Sequence, residues 1–129
     1  MTLIGHGIDI VEVARIATMR AEHGERFEER CYTARELAHG RESRRAGLDE
    51  YLAGRFAAKE AILKALGTGW SGGILWTDVE VVPVADGPAR VELHGEALRR
   101  AEEMGVGRWM LSITHSGGVA VASAIALGS

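Results

Sequence analysis

Apolar and polar positions change their period several times along this chain, and each change marks a predicted element. Residues 2–11, TLIGHGIDIV, mix β-branched residues with glycines and predict a buried strand. From about Glu12 to Met19 the pattern turns helical, and residues 34–50 predict a short helix followed by a polar loop around Gly40 to Gly47. The longest predicted element is a helix from Leu48 or Asp49 to Leu66. Gly67 and Gly69 close it, because glycine accepts positive φ at a helix end without penalty.

After the glycine-rich GTGWSGGI the character changes. LWTDVEVVP (75–83) alternates and predicts a strand that Pro83 stops; ADGP predicts a turn and ARVEL (89–93) a second strand. GEALRRAEEMG (95–105) predicts a short amphipathic helix bounded by glycines. WMLSITH and GVAVASAIAL predict two strands joined by SGG, with Leu111, Ile113 and His115 on one face of the first. The order is that of an α+β chain, an antiparallel sheet packed against the long helix. Its 129 residues suit one domain, residues 1–129.

The long helix raises the sharpest question. In LAGRFAAKEAILKAL (52–66), Leu52, Phe56, Leu63 and Leu66 follow a helical template whose middle position is Lys59, with Glu60 beside it. A charge inside an apolar stripe must reach water along its own stem or find a buried partner, and snorkelling is the commoner solution. The functional alternative is a helix edge that borders a polar cleft. Glu60 and Lys64, four residues apart, are neighbours on one face, an arrangement that by spacing alone reads as a surface ion pair. Asp9 follows two glycines in an apolar strand, so it is either turned to solvent by alternation or held by a cation. His115 ends its strand just before SGG, where a lone imidazole is ordinarily a hydrogen-bonded strand terminus.

Composition removes several classes. A net charge of −3 argues against non-specific nucleic-acid binding, and no apolar run approaches the ~20 residues of a membrane span. The first residues carry no signal-peptide pattern. The single cysteine, Cys31, allows no intrachain disulfide and suits a reducing cytoplasm. His6, His23, His39 and His94 lack zinc-ligand spacing, and neither GTG nor SGG is a phosphate loop. Arg15, Arg20, Arg26 and Arg30 cluster with Met19 and Phe27, but Glu22, Glu25, Glu28 and Glu29 among them make the surface mixed. Two carboxylates, two lysines and a strand-end histidine have the general shape of a phosphoryl-transfer site. Mg²⁺ is commonly held by one or two carboxylates plus phosphate and water, and lysines take the remaining charge.

Three blocks carry a resemblance: GIDIVEVARI (7–16), RFAAKEAILKALGTG (55–69) and SITHSGGVAVASAI (112–125). Together, in this order and spacing, they resemble holo-acyl-carrier-protein synthase, the small bacterial type of 4′-phosphopantetheinyl transferase. The resemblance implies that fold, a homotrimer with sites between subunits, and transfer of phosphopantetheine from coenzyme A to a serine of acyl carrier protein, releasing 3′,5′-ADP. It implies Asp9 and Glu60 as Mg²⁺ ligands, Lys64 near the transferred phosphate, and His115 as a donor to coenzyme A phosphate. Arg55 is the matching phosphate candidate within the second block; Arg41, Arg44 and Arg45 fall in a variable stretch. Arg15 matches the arginine that pairs with acidic residues of the carrier, flanked by Met19 and Phe27. Glu60, directly or through water, is the candidate base, with Asp9 and solvent as alternatives. A catalytically silent carrier binder and a structural α+β oligomer are the competing classes.

Overall fold

The computed structural model describes residues 2–42 and 47–129; Arg44 and Arg45, and with them half of the predicted polar loop, lie outside the described residues. Strand β1 (Leu3–Glu12) leads into three helices, α1 (Val13–His23), α2 (Glu25–Cys31) and α3 (Ala34–Glu42), and then the long α4 (Leu48–Leu66). Strands β2 (Val79–Val82) and β3 (Arg90–Leu93), helix α5 (Gly95–Glu103) and strands β4 (Val106–Ser116) and β5 (Val119–Gly128) follow. The three long strands form an antiparallel sheet in the order β1-β5-β4, and β2 and β3 form a separate antiparallel pair. The predicted α+β class, the long helix and the closing hairpin all appear.

Two elements differ from the sequence reading. α2 was not expected: its seven residues, ERFEERC, hold too few apolar positions to register a period. The predicted strand over 75–83 begins instead with a single 3₁₀ turn, Trp76–Asp78, and only Val79–Val82 pair as a strand. Asp78 explains the turn, since its carboxylate accepts the Leu75 N–H at 3.0 Å and closes the chain on itself.

Helix α4 is the centre of the molecule. Thirteen of its nineteen residues are buried, so it is enclosed on nearly every side, where the sequence stripe suggested one apolar face. It can lie this deep because the facing residues are small. Gly5 and Gly7 of β1 meet α4 backbone to backbone: a Cβ at Gly7 would fall 1.9 Å from the Ala61 carbonyl oxygen, and one at Gly5 2.0 Å from that of Ala65. On β5, Ala120, Ala122, Ala124 and Ala126 alternate inward and are fully buried beneath it. Gly67 ends the helix at φ 73°, its N–H reaching the Leu63 carbonyl at 2.9 Å.

Lys59 does not snorkel. It is completely buried, with its ammonium 2.8 Å from Glu36 Oε1. It also donates to the carbonyl oxygens of Trp76 at 3.0 Å and Val79 at 2.6 Å. Glu36 accepts in turn the N–H groups of Thr33 and Val81, both at 2.8 Å, the first completing a capping box with the Thr33 hydroxyl at the start of α3. Burial pushes the Lys59 ammonium below the usual lysine range, and Glu36 pulls it back up. The sequence expectation fails because the partner lies 23 residues upstream, on another helix. The uncovered edge of α4 is made instead by Leu48, Asp49, Glu50, Arg55, Glu60 and Lys64.

Because no side chain separates β1 from α4, Gly7→Ala has nowhere to put its methyl group. It should cost about 2–3 kcal/mol or more, read as a lower urea midpoint at unchanged m-value.

Candidate active site

Residues 5, 7, 9 and 11 share the inward face of β1 by strand alternation. The first two meet α4 at Ala65 and Ala61, so two strand residues (about 6.6 Å) match four helix residues (about 6 Å). Continuing that register sets Asp9 beside the turn that holds Glu60. Helical side chains lean toward the N-terminus, which brings Lys64 back to the same level. Lys64 Nζ accordingly lies 3.0 Å from Asp9 Oδ1 and donates to the Ile8 carbonyl at 3.0 Å.

This cation is the partner that the sequence left open for Asp9, whose side chain is only 16% exposed. The Glu60–Lys64 surface pair is not formed: Lys64 turns to Asp9, and Glu60, partly exposed, has no hydrogen bond or ion pair among the described residues. An open groove of about 320 Å³ runs over the pair, lined by Ile8, Asp9, Ile10, Lys64 and Val121. Asp9 sets one hard oxygen donor beside the ammonium at this groove. Glu60, one turn before Lys64 on the same helix face, is the second candidate donor of the kind Mg²⁺ takes when phosphates complete its octahedron.

His115 and Arg55 stand elsewhere. The His115 ring packs on Gly54, where a Cβ would fall 2.7 Å from Nε2, and its Nδ1 lies 3.9 Å from Glu50 Oε1. The Arg55 guanidinium stacks 4.1 Å above the Tyr51 ring. Gly54 and Lys64 are ten residues apart on α4, about 15 Å along its axis. β4, which carries His115, and β1, which carries Asp9, form opposite edges of the sheet. The five predicted residues therefore divide into Asp9 and Lys64 toward the C-terminal end of α4, with Glu60 one turn before Lys64 on the same face, and Arg55 and His115 toward the N-terminal end. At the second end, Arg55 Nε and His115 Nε2 are buried polar atoms without a partner among the described residues.

Arg15, Met19 and Phe27 come together in a cleft of about 490 Å³, bordered also by Arg26, Arg30 and the rings of Phe56 and Trp76. Gly24, at φ 54°, lets α1 and α2 meet at the angle that opens it. Arg15 lies 5.3 Å over the Phe56 ring. Phe56 packs 4.5 Å from Trp76, which stacks at 3.8 Å on Trp70. The sequence reading missed Phe56 and Trp76 as cleft residues. An aromatic at each position was visible, but nothing local joins residue 56 to residue 76.

The mixed charge of this region sorts itself in three dimensions. No carboxylate lines the cleft among the described residues, whereas three arginines do. Glu28 is turned inward, where Arg20 reaches it at 3.1 Å and Arg41 closes on it. Burial pushes its carboxyl up, but the hydrogen bonds from Arg41 and Arg20 outweigh that and hold it below the usual range. Arg20 is further bound to Asp49 at 2.6 Å. Arg41 is thus committed to Glu28 and is no free phosphate ligand. Burial pushes the Cys31 thiol up to about 11, which agrees with an inert side chain.

One grouping was invisible in sequence: Glu80, Glu92 and His94 bring potential ligand atoms within 4.8 Å of one another. Arg35 already bridges the two carboxylates, at 2.8 Å from Glu80 and 3.2 Å from Glu92, so the counter-charge is supplied by the protein.

Residues 5–122 match the 4′-phosphopantetheinyl transferase superfamily, and the chain belongs to that family. Its curated relatives are holo-[acyl-carrier-protein] synthases. The one from Solibacter usitatus is 43% identical over 95% of this chain and 97% of its own, and that from Natranaerobius thermophilus 44% identical over 95% and 96%. Among solved structures, the synthase from Neisseria meningitidis superposes with a TM-score of 0.85 at 33% identity, covering 97% of this chain and 98% of the other. That from Bacillus anthracis, in complex with CoA (3′,5′-ADP), gives 0.80 at 34% identity over the full length of both.

Glu80 yields a pH prediction. Hydrogen bonds from Arg35 foremost hold its nearly buried carboxyl down at about 2, below the ordinary 4.5. A depressed carboxyl stabilises the fold above its unfolded value, and that contribution is lost as pH falls from about 4.5 toward 2. Glu80→Gln should remove on the order of 2 kcal/mol at neutral pH and flatten acid unfolding across that window, read by circular dichroism.

Proposed function

We propose that this chain transfers the 4′-phosphopantetheine group of coenzyme A to a serine of an apo-acyl carrier protein, releasing 3′,5′-ADP. The observation that carries the reading is the Asp9–Lys64 pair on the β1–α4 seam beneath an open groove, with Glu60 one helical turn before Lys64 on the same face and unpartnered among the described residues. An unpartnered Glu60 on the same helix face as Lys64 leaves its oxygens available to a cation.

Asp9 and Glu60 are the candidate ligands for Mg²⁺, which when bound supplies charge neutralisation at the diphosphate. Lys64 swings from Asp9 toward the transferred phosphoryl group and offsets the charge on its non-bridging oxygens. The carrier serine oxygen forms a bond to the β-phosphorus as the bond to the 5′-phosphate oxygen of 3′,5′-ADP breaks. Glu60 takes the serine proton. Most of the rate enhancement comes from positioning and fixed charge, as in phosphoryl transfer generally.

Arg55 and His115 are the candidate ligands for the other phosphates of coenzyme A, Arg55 through the donors of its planar guanidinium and His115 through a ring N–H. One chain does not unite them with Asp9 and Glu60, which supports a homotrimer whose sites join the β4 edge of one copy to the β1 edge of the next. The outer face of the sheet, with Ile8 56%, Ile10 64% and Met110 54% exposed, offers apolar surface for that assembly. Arg15, Met19 and Phe27 are the candidate docking residues for an acidic, amphipathic carrier surface. No helix of the described residues is long and apolar enough to cross a membrane, and the free Cys31 accords with a cytoplasmic location.

Incubation with coenzyme A, Mg²⁺ and an apo-carrier should add one phosphopantetheine, seen by mass spectrometry. A carrier that binds but stays unmodified would instead indicate a silent binder. Glu60→Gln keeps the volume and removes the charge, and should lower kcat at least 10²-fold with the fold intact. Carrier association should weaken as salt rises, because exposed charges more than ~10 Å apart are screened at 0.1 M. Salt-independent affinity would assign docking to Phe27 and Met19 in place of Arg15.

A further inference from the structure

The buried ammonium of Lys59 holds both ends of one short turn. Its three donors go to Glu36, to the carbonyl of Trp76 where the 3₁₀ turn begins, and to the carbonyl of Val79 just after it ends. The turn starts with the indole that floors the arginine cleft, packed on Phe56 of α4. Lys59 is also the residue next to Glu60. The side chain inside the core therefore ties the cleft floor to the stretch of helix that bears the carboxylate outside it.

We propose that Lys59 is a positioning residue for the carrier: it keeps the Trp76 floor of the docking cleft in register with Glu60 and Lys64. The inference rests on the reading above of the cleft and the reaction. A serine delivered by a separate protein reaches the phosphorus productively only if the docking surface stands at a fixed distance from the catalytic groups. Ångström-scale displacement of the Trp76 floor costs rate and also changes the surface on which the carrier rests, so its effect is expected in the carrier KM. A three-donor clamp in the dry interior fixes that distance more firmly than apolar packing does, because apolar contacts are non-directional. Asp9 and Lys64 make no hydrogen bond or ion pair with the turn among the described residues, so coenzyme binding beside them has no reason to follow it.

The test must separate positioning from folding. Lys59→Met alone strands the Glu36 carboxylate in the core and is expected to unfold the protein. The paired variant Lys59→Met, Glu36→Gln removes both charges together and keeps an acceptor for the Val81 N–H. With this pair folded by circular dichroism, KM for the carrier should rise at least 10-fold while KM for coenzyme A stays within 2-fold of wild type. Glu36→Gln by itself strands the Lys59 ammonium, so it serves as a control once circular dichroism shows it folded; Lys59 then still reaches both carbonyls and the carrier KM should stay within 3-fold.

A folded pair with wild-type carrier KM, or with both KM values raised alike, overturns the proposal. If the pair does not fold, Trp76→Ala decides, since it removes the floor that the clamp holds. A carrier KM raised 10-fold or more with KM for coenzyme A within 2-fold then supports the proposal, and any smaller or unselective change overturns it. A wild-type protein that modifies no carrier would overturn the transferase reading itself. An active wild type with an unaffected pair overturns only the role of Lys59.

Discussion

Everything in this molecule depends on how closely one helix lies on one strand. α4 meets β1 through the bare backbone of Gly5 and Gly7, and the alanines of β5 continue the same shallow bed. That approach sets the register that carries Asp9 past the turn of Glu60 and within reach of Lys64. Larger side chains would lift the helix and draw Asp9 away from Lys64. The bed is also narrow. Asp9 is the first residue after the two glycines on that face with a side chain beyond a hydrogen, so the seam ends where polar chemistry begins.

Burial decides what each charged residue does. Lys59 and Lys64 are five residues apart on one helix, yet the first is locked among carbonyls and Glu36 while the second stands at the groove. Glu28 and Glu36 are enclosed and fully partnered, whereas Glu60 keeps an open edge. The arginines divide the same way: Arg20 and Arg41 neutralise Glu28, and Arg15, Arg26 and Arg30 line the cleft. Counting charges along the chain mixes these two populations, since neighbours in sequence differ in the direction they face.

Much of the fold was legible because its elements are long or sharply punctuated. β1 and the β4–β5 hairpin carry long β-branched and alanine-rich runs, and α4 stops at a glycine that adopts the left-handed conformation. α2 escaped notice because seven charged-rich residues fit no period, and the turn at Trp76 because its residues also alternate. For the site, the first two family-like blocks supplied Asp9, Glu60 and Lys64, and the register of β1 on α4 brings Asp9 to Lys64. The separation of Arg55 and His115 from that group was not legible, because it depends on which sheet edge each strand occupies. The partner of Lys59 was hidden for a related reason: Glu36 sits on a short helix with nothing in its own neighbourhood to mark it as buried.

The face-to-face pair of Trp70 and Trp76 gives the protein an optical signature of its own. Two indoles with centroids 3.8 Å apart couple electronically, and one of them forms the floor of the arginine cleft. Trp109, the remaining tryptophan, packs against the core from β4. Near-ultraviolet dichroism of the unlabelled chain is therefore weighted toward the one surface where another macromolecule would come to rest.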